Sequence, residues 1–285
     1  MSHAGILSEK EIVVFRRYVE GGGKLLITGF SGQFDRYGRP LEKSLLEDLI
    51  GGRVVRRLEF TDSWMRFRVS DSQEQIQREL CLGIPTDWPF LVRGPAVVYE
   101  PQSANAVGEL LDSHRGALVK PESYNQDWPL SPREVVGPAV LVNQVGQGQV
   151  LTFAGSPDQA VAGEHHIVEV RKLFANAVRL LNPKPRVRVS GPANVEVVVT
   201  DDPSERVLRI HLIAYNPTPQ TTPIKNRPYL LPGLIEDAPM FRVEIGFWDE
   251  ILSLDSLGEG TRISLRDARA EVIVNDIHEI VLCRY

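Results

Sequence analysis

At 285 residues the chain has room for one large domain or two ordinary ones, and with 42% apolar and 24% charged residues it has the composition of a core-forming globular protein. Its 32 Lys and Arg against 37 Asp and Glu leave a formal net charge of -5, which excludes a generally basic nucleic-acid-binding surface. No apolar run is long enough to cross a bilayer, the opening MSHAGILSEKEIVVF lacks the parts of a signal peptide, and Cys81 and Cys283 alone make neither a disulfide scaffold nor a thiolate metal cluster.

In chain order, Ser8 and Glu11 have capping-box spacing, and Ile12, Phe15 and Val19 recur at helical period, which predicts a helix over 8–20. Gly21-Gly22-Gly23 stops it, and Lys24 to Thr28 follows as a short apolar strand of the kind found in helix-covered parallel sheets. A helix is predicted over Leu41–Ile50 with Leu45, Leu46 and Leu49 inward, then strands over Val54–Phe60 and Met65–Val69. Residues 71–95 read as a short helix around Ile76 followed by a loop, and Ala96–Tyr99 as a strand. From Ala139, two apolar segments flank Gly146-Gln147-Gly148, a hairpin signature that makes the sheet mixed. A helix over about Glu164–Leu181, with Ile167, Val170, Phe174, Ala177 and Leu181 facing inward, ends at Asn182-Pro183-Lys184-Pro185.

Beyond that break the apolar period changes to two. Val187 and Val189, then Val195, Val197 and Val199, precede the turn Asp201–Ser204; Val207–Ala214 and Phe241–Phe247 are further strands. The end reads as a hairpin of Ala270–Val274 and Ile277–Cys283 around Asn275-Asp276, and the whole as a sandwich or small open barrel. Asn216–Pro239, rich in Pro and Thr, reads as a long excursion available to partners. The division is therefore an α/β domain over 1–183 and an antiparallel β domain over 184–285. A helix and its strand stand at the very start with no strand before them. Either the sheet is unusually small, or its opening strands lie upstream or come from another chain.

Chemical motifs are sparse. The glycines of GGGKLLITG precede a strand instead of following one, the wrong order for a dinucleotide loop, and tight turns explain them. His165-His166 project in different directions on a helix, and His114, His211 and His278 lack ligand spacing, so no metal is expected. Asp35, Asp62, Asp87, Glu100, Glu122, Asp127 and Asp158 lie in or beside loops. Asp35 and Asp158 each follow a strand of the α/β part, where ligands of such folds bind, and are the candidate catalytic carboxylates; solvated loop carboxylates are the plainer reading of each. Trp64, Trp88 and Trp128 stand near turns and offer flat faces to a sugar or to packing. Ser156 is followed by proline and Cys81 lacks small neighbours, so neither builds a nucleophile turn.

LSEKEIVVFRRYVEGGGKLLITGFSGQFDRYGRP resembles the late part of a glutamine-amidotransferase-like domain found in several glycoside hydrolases, including the beta-galactosidase family with a trimerisation domain. GQGQVLTFAGSP is similar to their glycine turn and strand, VRKLFANAVRLL to the helix leading out of that domain, and VNDIHEIVLCRY to the close of their β module. The resemblance implies a class I amidotransferase-like, flavodoxin-like mixed sheet, truncated at its front, followed by a β-sandwich-like domain. It also implies an architectural role, because the catalytic (β/α)8 barrel has no counterpart here. The expected function is a non-catalytic oligomerisation module, cytoplasmic and without cofactor, acting as a homo-oligomer or with a companion glycoside hydrolase chain, away from nucleic acid and membrane. A glycoside hydrolase with an unrecognised carboxylate site and a carbohydrate-binding protein are the alternatives.

Overall fold

The computed structural model describes residues 1–59, 62–68, 75–113, 131–162, 167–192, 194–214 and 240–285. These fall into two compact units, Met1–Pro183 and Lys184–Tyr285. The excursion over Asn216–Pro239 lies outside the described residues, as do His114, Glu122, Asp127, Trp128, His165 and His166.

The first unit opens with α1 (Glu9–Glu20). Its capping box closes in both directions: Glu11 N–H donates to Ser8 Oγ at 3.3 Å, and Ser8 N–H donates to the Glu11 carboxylate at 2.7 Å. Ile12 and Val19 are buried and Phe15 half-buried, as the stripe predicts. The strand β1 (Lys24–Ile27) pairs in parallel with β8 (Gly148–Phe153). The remaining pairs of the sheet are antiparallel, through β7 (Pro132–Val145), β6 (Asn105–Ser113), β3 (Asp62–Arg66) and β4 (Phe90–Arg93). The order is β1-β8-β7-β6-β3-β4, so the sheet is mixed with one parallel pair among the described residues. A two-stranded sheet of β2 (Gly52–Leu58) and β5 (Ala96–Pro101) stands apart from it.

Both faces of the large sheet are covered. Val150 packs in a core with Ile12, Val19, Leu49 and Val97, and its neighbour Leu151 in the opposite core with Leu80, Val170, Leu173 and Ala177. Burial on both sides is why β8 reads as a continuous apolar run. The cover is α1, α2 (Glu47–Ile50) and the β2–β5 pair on one side, and α3 (Gln75–Leu80) and α5 (Val168–Leu181), with α4 (Pro157–Ala162) beside them, on the other.

Several expectations need correction. The helix expected over Leu41–Ile50 is α-helical only at its last four residues, because Leu45 N–H and Ser44 Oγ bond back to Gly32 O, which draws 41–46 onto the preceding loop. Strand β4 lies in the stretch read as loop, and β6 and the first half of β7 had no strand assignment. Strand β1 is apolar yet lies at the sheet edge among the described residues: Ile27 is fully buried in the core on one face and Leu26 packs against the core on the other, which does not require a strand on each side. Its outer edge meets Met1 and Ser2, with Met1 N donating to Leu26 O at 2.7 Å and Thr28 N–H to Met1 O at 3.1 Å.

The second unit stacks two four-stranded antiparallel sheets. One has the order β10 (Val195–Asp202), β11 (Val207–Ala214), β16 (His278–Arg284), β13 (Ser253–Ser256). The other runs β14 (Arg262–Arg266), β15 (Arg269–Val274), β12 (Phe241–Phe247), β9 (Val187–Ser190). Ile210, Leu212 and Val281 from the first share a core with Val243, Ile245, Val272 and Val274 from the second. The terminal hairpin is overturned: β15 pairs with β12 and β14, whereas β16 pairs with β11 and β13. Both segments alternate with one apolar face, and the fold makes those faces meet across the core instead of side by side.

Candidate functional site

Among the described residues the one place where parallel strands end together is the exit of β1 and β8. There Gly29 N–H donates to Gly155 O at 3.1 Å and ties the two exits. Asp158, in the first turn of α4, turns towards Thr28, whose hydroxyl donates to its Oδ2 at 2.9 Å. Ser2 Oγ donates to the same oxygen. His3 Nε2 lies 3.9 Å from Oδ1, and these two buried atoms have no hydrogen-bond partner. Gly29 has φ 55° and an added Cβ would meet the His3 ring at 2.0 Å, so glycine is required there on both counts. Burial lowers the Met1 ammonium below the ordinary α-amino value, and the Asp158 charge partly opposes this.

The cluster therefore holds one carboxylate, one imidazole and two hydroxyls. Ser2 spends its proton on the carboxylate and not on the imidazole, so no activated nucleophile results. Glycoside hydrolysis by the two-carboxylate route needs a second acid across the sugar. Asp35 does not supply it through any bond to Asp158. Its carboxylate accepts from Tyr37 N–H at 2.8 Å and Arg39 N–H at 2.9 Å and pairs with the Arg39 guanidinium at 2.8 Å. The Arg39 N–H holds Asp35 below the usual carboxylate range; desolvation opposes it, and Tyr37 N–H and the Arg39 guanidinium add to it.

The other singled-out residues are dispersed. Glu100 pairs with Arg53 across β2 and β5. Asp87 has φ 65° in a turn where its N–H bonds Phe67 O at 2.7 Å. Trp64 is half-buried, whereas Trp88 is 71% exposed. His211 and His278 stack on neighbouring strands with Nδ1 and Nε2 3.1 Å apart. Ser156 is fully buried and donates to Pro95 O. Burial pushes the Cys81 thiol up to about 12 and Cys283 up to about 11, and both are free. Among the described residues no three His, Cys, Asp or Glu side chains gather as metal ligands, and no helix is long and apolar enough to cross a membrane.

Sequence reasoning missed His3, Ser2 and Thr28, which carry no motif and meet Asp158 only through the fold. It also missed two grooves. One of about 580 Å³ lies at the end of α2 between Glu42, Glu47, Arg53 and Gln102. Another of about 670 Å³ lies on the second unit over Arg242, Arg266 and Arg269, and the arginine spacing in RISLRDARAE was its visible trace.

No family model and no curated protein matches the chain. Solved structures do. The alpha-L-fucosidase isoenzyme 2 from Paenibacillus thiaminolyticus aligns over 100% of this chain and 40% of its own, at 16% identity and a TM-score of 0.64. Gan42B, a GH42 beta-galactosidase from G. stearothermophilus, aligns over 99% of this chain and 31% of its own, at 15% identity and a TM-score of 0.55. The beta-galactosidase from Bacillus circulans sp. alkalophilus gives 99%, 32%, 14% and 0.54 in the same order. The fold is one found in glycoside hydrolase chains. This chain spans about a third to two fifths of the length of those structures.

Proposed function

We propose that the chain is a non-catalytic structural and assembly module of glycoside-hydrolase type. The observation that carries this reading is coverage: essentially all of this chain aligns with between 31% and 40% of each enzyme chain. In this reading the first unit is an amidotransferase-like layer with a trimerisation-type role, and the second is its β module. The protein works in the cytoplasm without cofactor or metal, as a homo-oligomer or beside a companion glycoside hydrolase chain. Val14 and Tyr18, one turn apart on α1 and 65% and 54% exposed, offer apolar contact for such association.

Light scattering on the eluting protein across the micromolar range tests the assembly role. A mass of two or more chains is expected, or a stable complex with a companion chain; a strict monomer with neither overturns it. A chromogenic glycoside panel tests the absence of catalysis. Turnover that disappears in an Asp35→Asn, Asp158→Asn double variant would replace the module reading with a hydrolase. Carbohydrate contact is a second reading, favoured by the exposure of Trp88. Glycan-array binding lost in Trp88→Ala at unchanged stability supports it, and an array without signal removes it.

A further inference from the structure

One outer sheet face of the second unit carries a charge pattern that neither its core nor its pairing requires. Strand register sets the outward side chains of β14, β15, β12 and β9 in three rows across the sheet. The first row is Arg266, Arg269, Gly246 and Arg188; the second is Ser264, Glu271, Glu244 and Ser190; the third is Arg262, Ile273 and Arg242. Adjacent rows stand about 7 Å apart along the strands. Five arginines thus share a face with Glu244, Glu271 and the turn residue Asp267, in a chain whose formal net charge is -5.

The glutamates are already engaged. Glu271 lies 2.9 Å from Arg242 Nε, and Glu244 lies 4.0 Å from Arg269. Arg188, Arg262 and Arg266 have no ion pair among the described residues, and all three are exposed. Arg266 stands directly opposite Arg269 across the turn, an arrangement of like charges that weakens a sheet. In the first row Gly246 leaves a gap between Arg269 and Arg188. The groove of about 670 Å³ over this face is lined by Ser190, Arg242, Glu244, Ser264, Arg266 and Arg269 among others, and no aromatic residue lines it among the described residues.

We propose that this face binds an acidic oligosaccharide, one carrying uronate or sulfate groups. Guanidinium groups pair with such anions through two parallel N–H bonds, and the unpaired Arg188, Arg262 and Arg266 are placed to do so. The Ser190 and Ser264 hydroxyls and the Glu244 and Glu271 carboxylates supply the short polar contacts that sugar hydroxyls accept or donate to. The described lining offers guanidinium groups and no aromatic platform for a neutral sugar ring, so charge selects the ligand. The inference goes beyond the carbohydrate reading above: it concerns a different face from Trp88 and does not depend on assembly.

Fluorescein-labelled oligogalacturonate and a sulfated heparin oligosaccharide of equal length, titrated by anisotropy at low and moderate salt, test it. Neutral galacto-oligosaccharide, a polyglutamate peptide and single-stranded DNA serve as comparators. One of the acidic saccharides is expected to bind, to weaken with salt, and to lose about tenfold or more in Arg266→Gln, Arg269→Gln. Thermal midpoints should stay level or rise in that variant, since it removes facing like charges; if it unfolds, Arg188→Gln carries the comparison. Absence of binding to both acidic saccharides, equal binding by the variants, or preference for any comparator overturns the proposal. Light scattering on the same variants separates the outcomes: an unchanged mass with lost binding assigns the effect to this face, whatever the fate of the assembly reading.

Discussion

Replacing Glu279 by alanine should strongly destabilise the second unit. The side chain is 1% exposed, and its Oε1 accepts from Leu257 N–H at 3.2 Å, Gly258 N–H at 3.0 Å and Ile280 N–H at 2.8 Å. Its Oε2 accepts from Ser256 Oγ at 3.4 Å and from Thr261 Oγ1. The carboxylate therefore anchors the 257–261 loop to β16. Alanine leaves the hydroxyls free to turn elsewhere, and Ser256 already donates to Gly258 O at 3.0 Å. Leu257 N–H also donates to Ile280 O at 3.1 Å and keeps that acceptor, but the Gly258 and Ile280 N–H groups cannot turn. At about 1.5 kcal/mol for each donor left without an acceptor, the loss is roughly 3 kcal/mol. That is a large part of the stability of a domain of about 100 residues, and corresponds to a fall of roughly 15 °C in its midpoint. Glu279→Gln retains one acceptor oxygen and turns an amide towards hydroxyls able to accept from it, so its cost should be about 1–2 kcal/mol. Scanning calorimetry of the full chain, with the transition of the second unit followed in each variant, gives both numbers. The reasoning is refuted if the two variants melt together, or if the alanine variant loses under about 1 kcal/mol.

Gly148→Ala should destabilise the first unit by about 3 kcal/mol or more, because the added Cβ meets Val19 O at 2.0 Å and Gly23 O at 2.3 Å, and backbone has no rotamer to yield; urea denaturation checks it. Cys81, raised to about 12 by burial, should resist iodoacetamide at mildly alkaline pH in the folded protein and react at the ordinary thiol rate in urea, as read by mass spectrometry; fast labelling of the folded chain would contradict the packing. The lowered Asp35 carboxyl makes its turn contribute stability above the unfolded value of about 3.9, stability that is lost as pH falls through the lower folded value. An NMR titration of the Asp35 carboxyl should thus have its midpoint below that of a model peptide. Asp158→Ala should cost about 1–2 kcal/mol by releasing the Thr28 and Ser2 hydroxyls, with less lost in Asp158→Asn; thermal melts decide it.

Local signals carried the parts of the fold that are local in origin. The Ser8 and Glu11 pair marks α1 because its two bonds close within four residues. The β7–β8 turn was visible because Gly146 takes φ 57° and the strands on either side pair across it. Helix α5 and the alternating strands β11 and β12 show their buried faces in their spacing alone, whereas the alternation of β10 misleads: Val197, Val198 and Val199 are all exposed. The edge position of β1 was not visible, since apolar content reports burial above and below a sheet and is silent about its lateral neighbours.

The candidate sites were less legible than the elements. Asp158 could be placed near a strand exit by its position after β8, but Thr28 and Ser2, which bond it, lie 130 and 156 residues away. Asp35 looked equivalent and is instead closed within its own turn by Arg39. By itself the sequence determined elements such as α1, α5, β8, β11 and β12, since period and caps are encoded within a few neighbouring residues. Only the tertiary structure decided that β15 and β16 part into opposite sheets, and that Arg266, Arg269 and Arg188 share one exposed row. Strand order is a contest between distant apolar faces for one core, and no short stretch of chain contains both contestants.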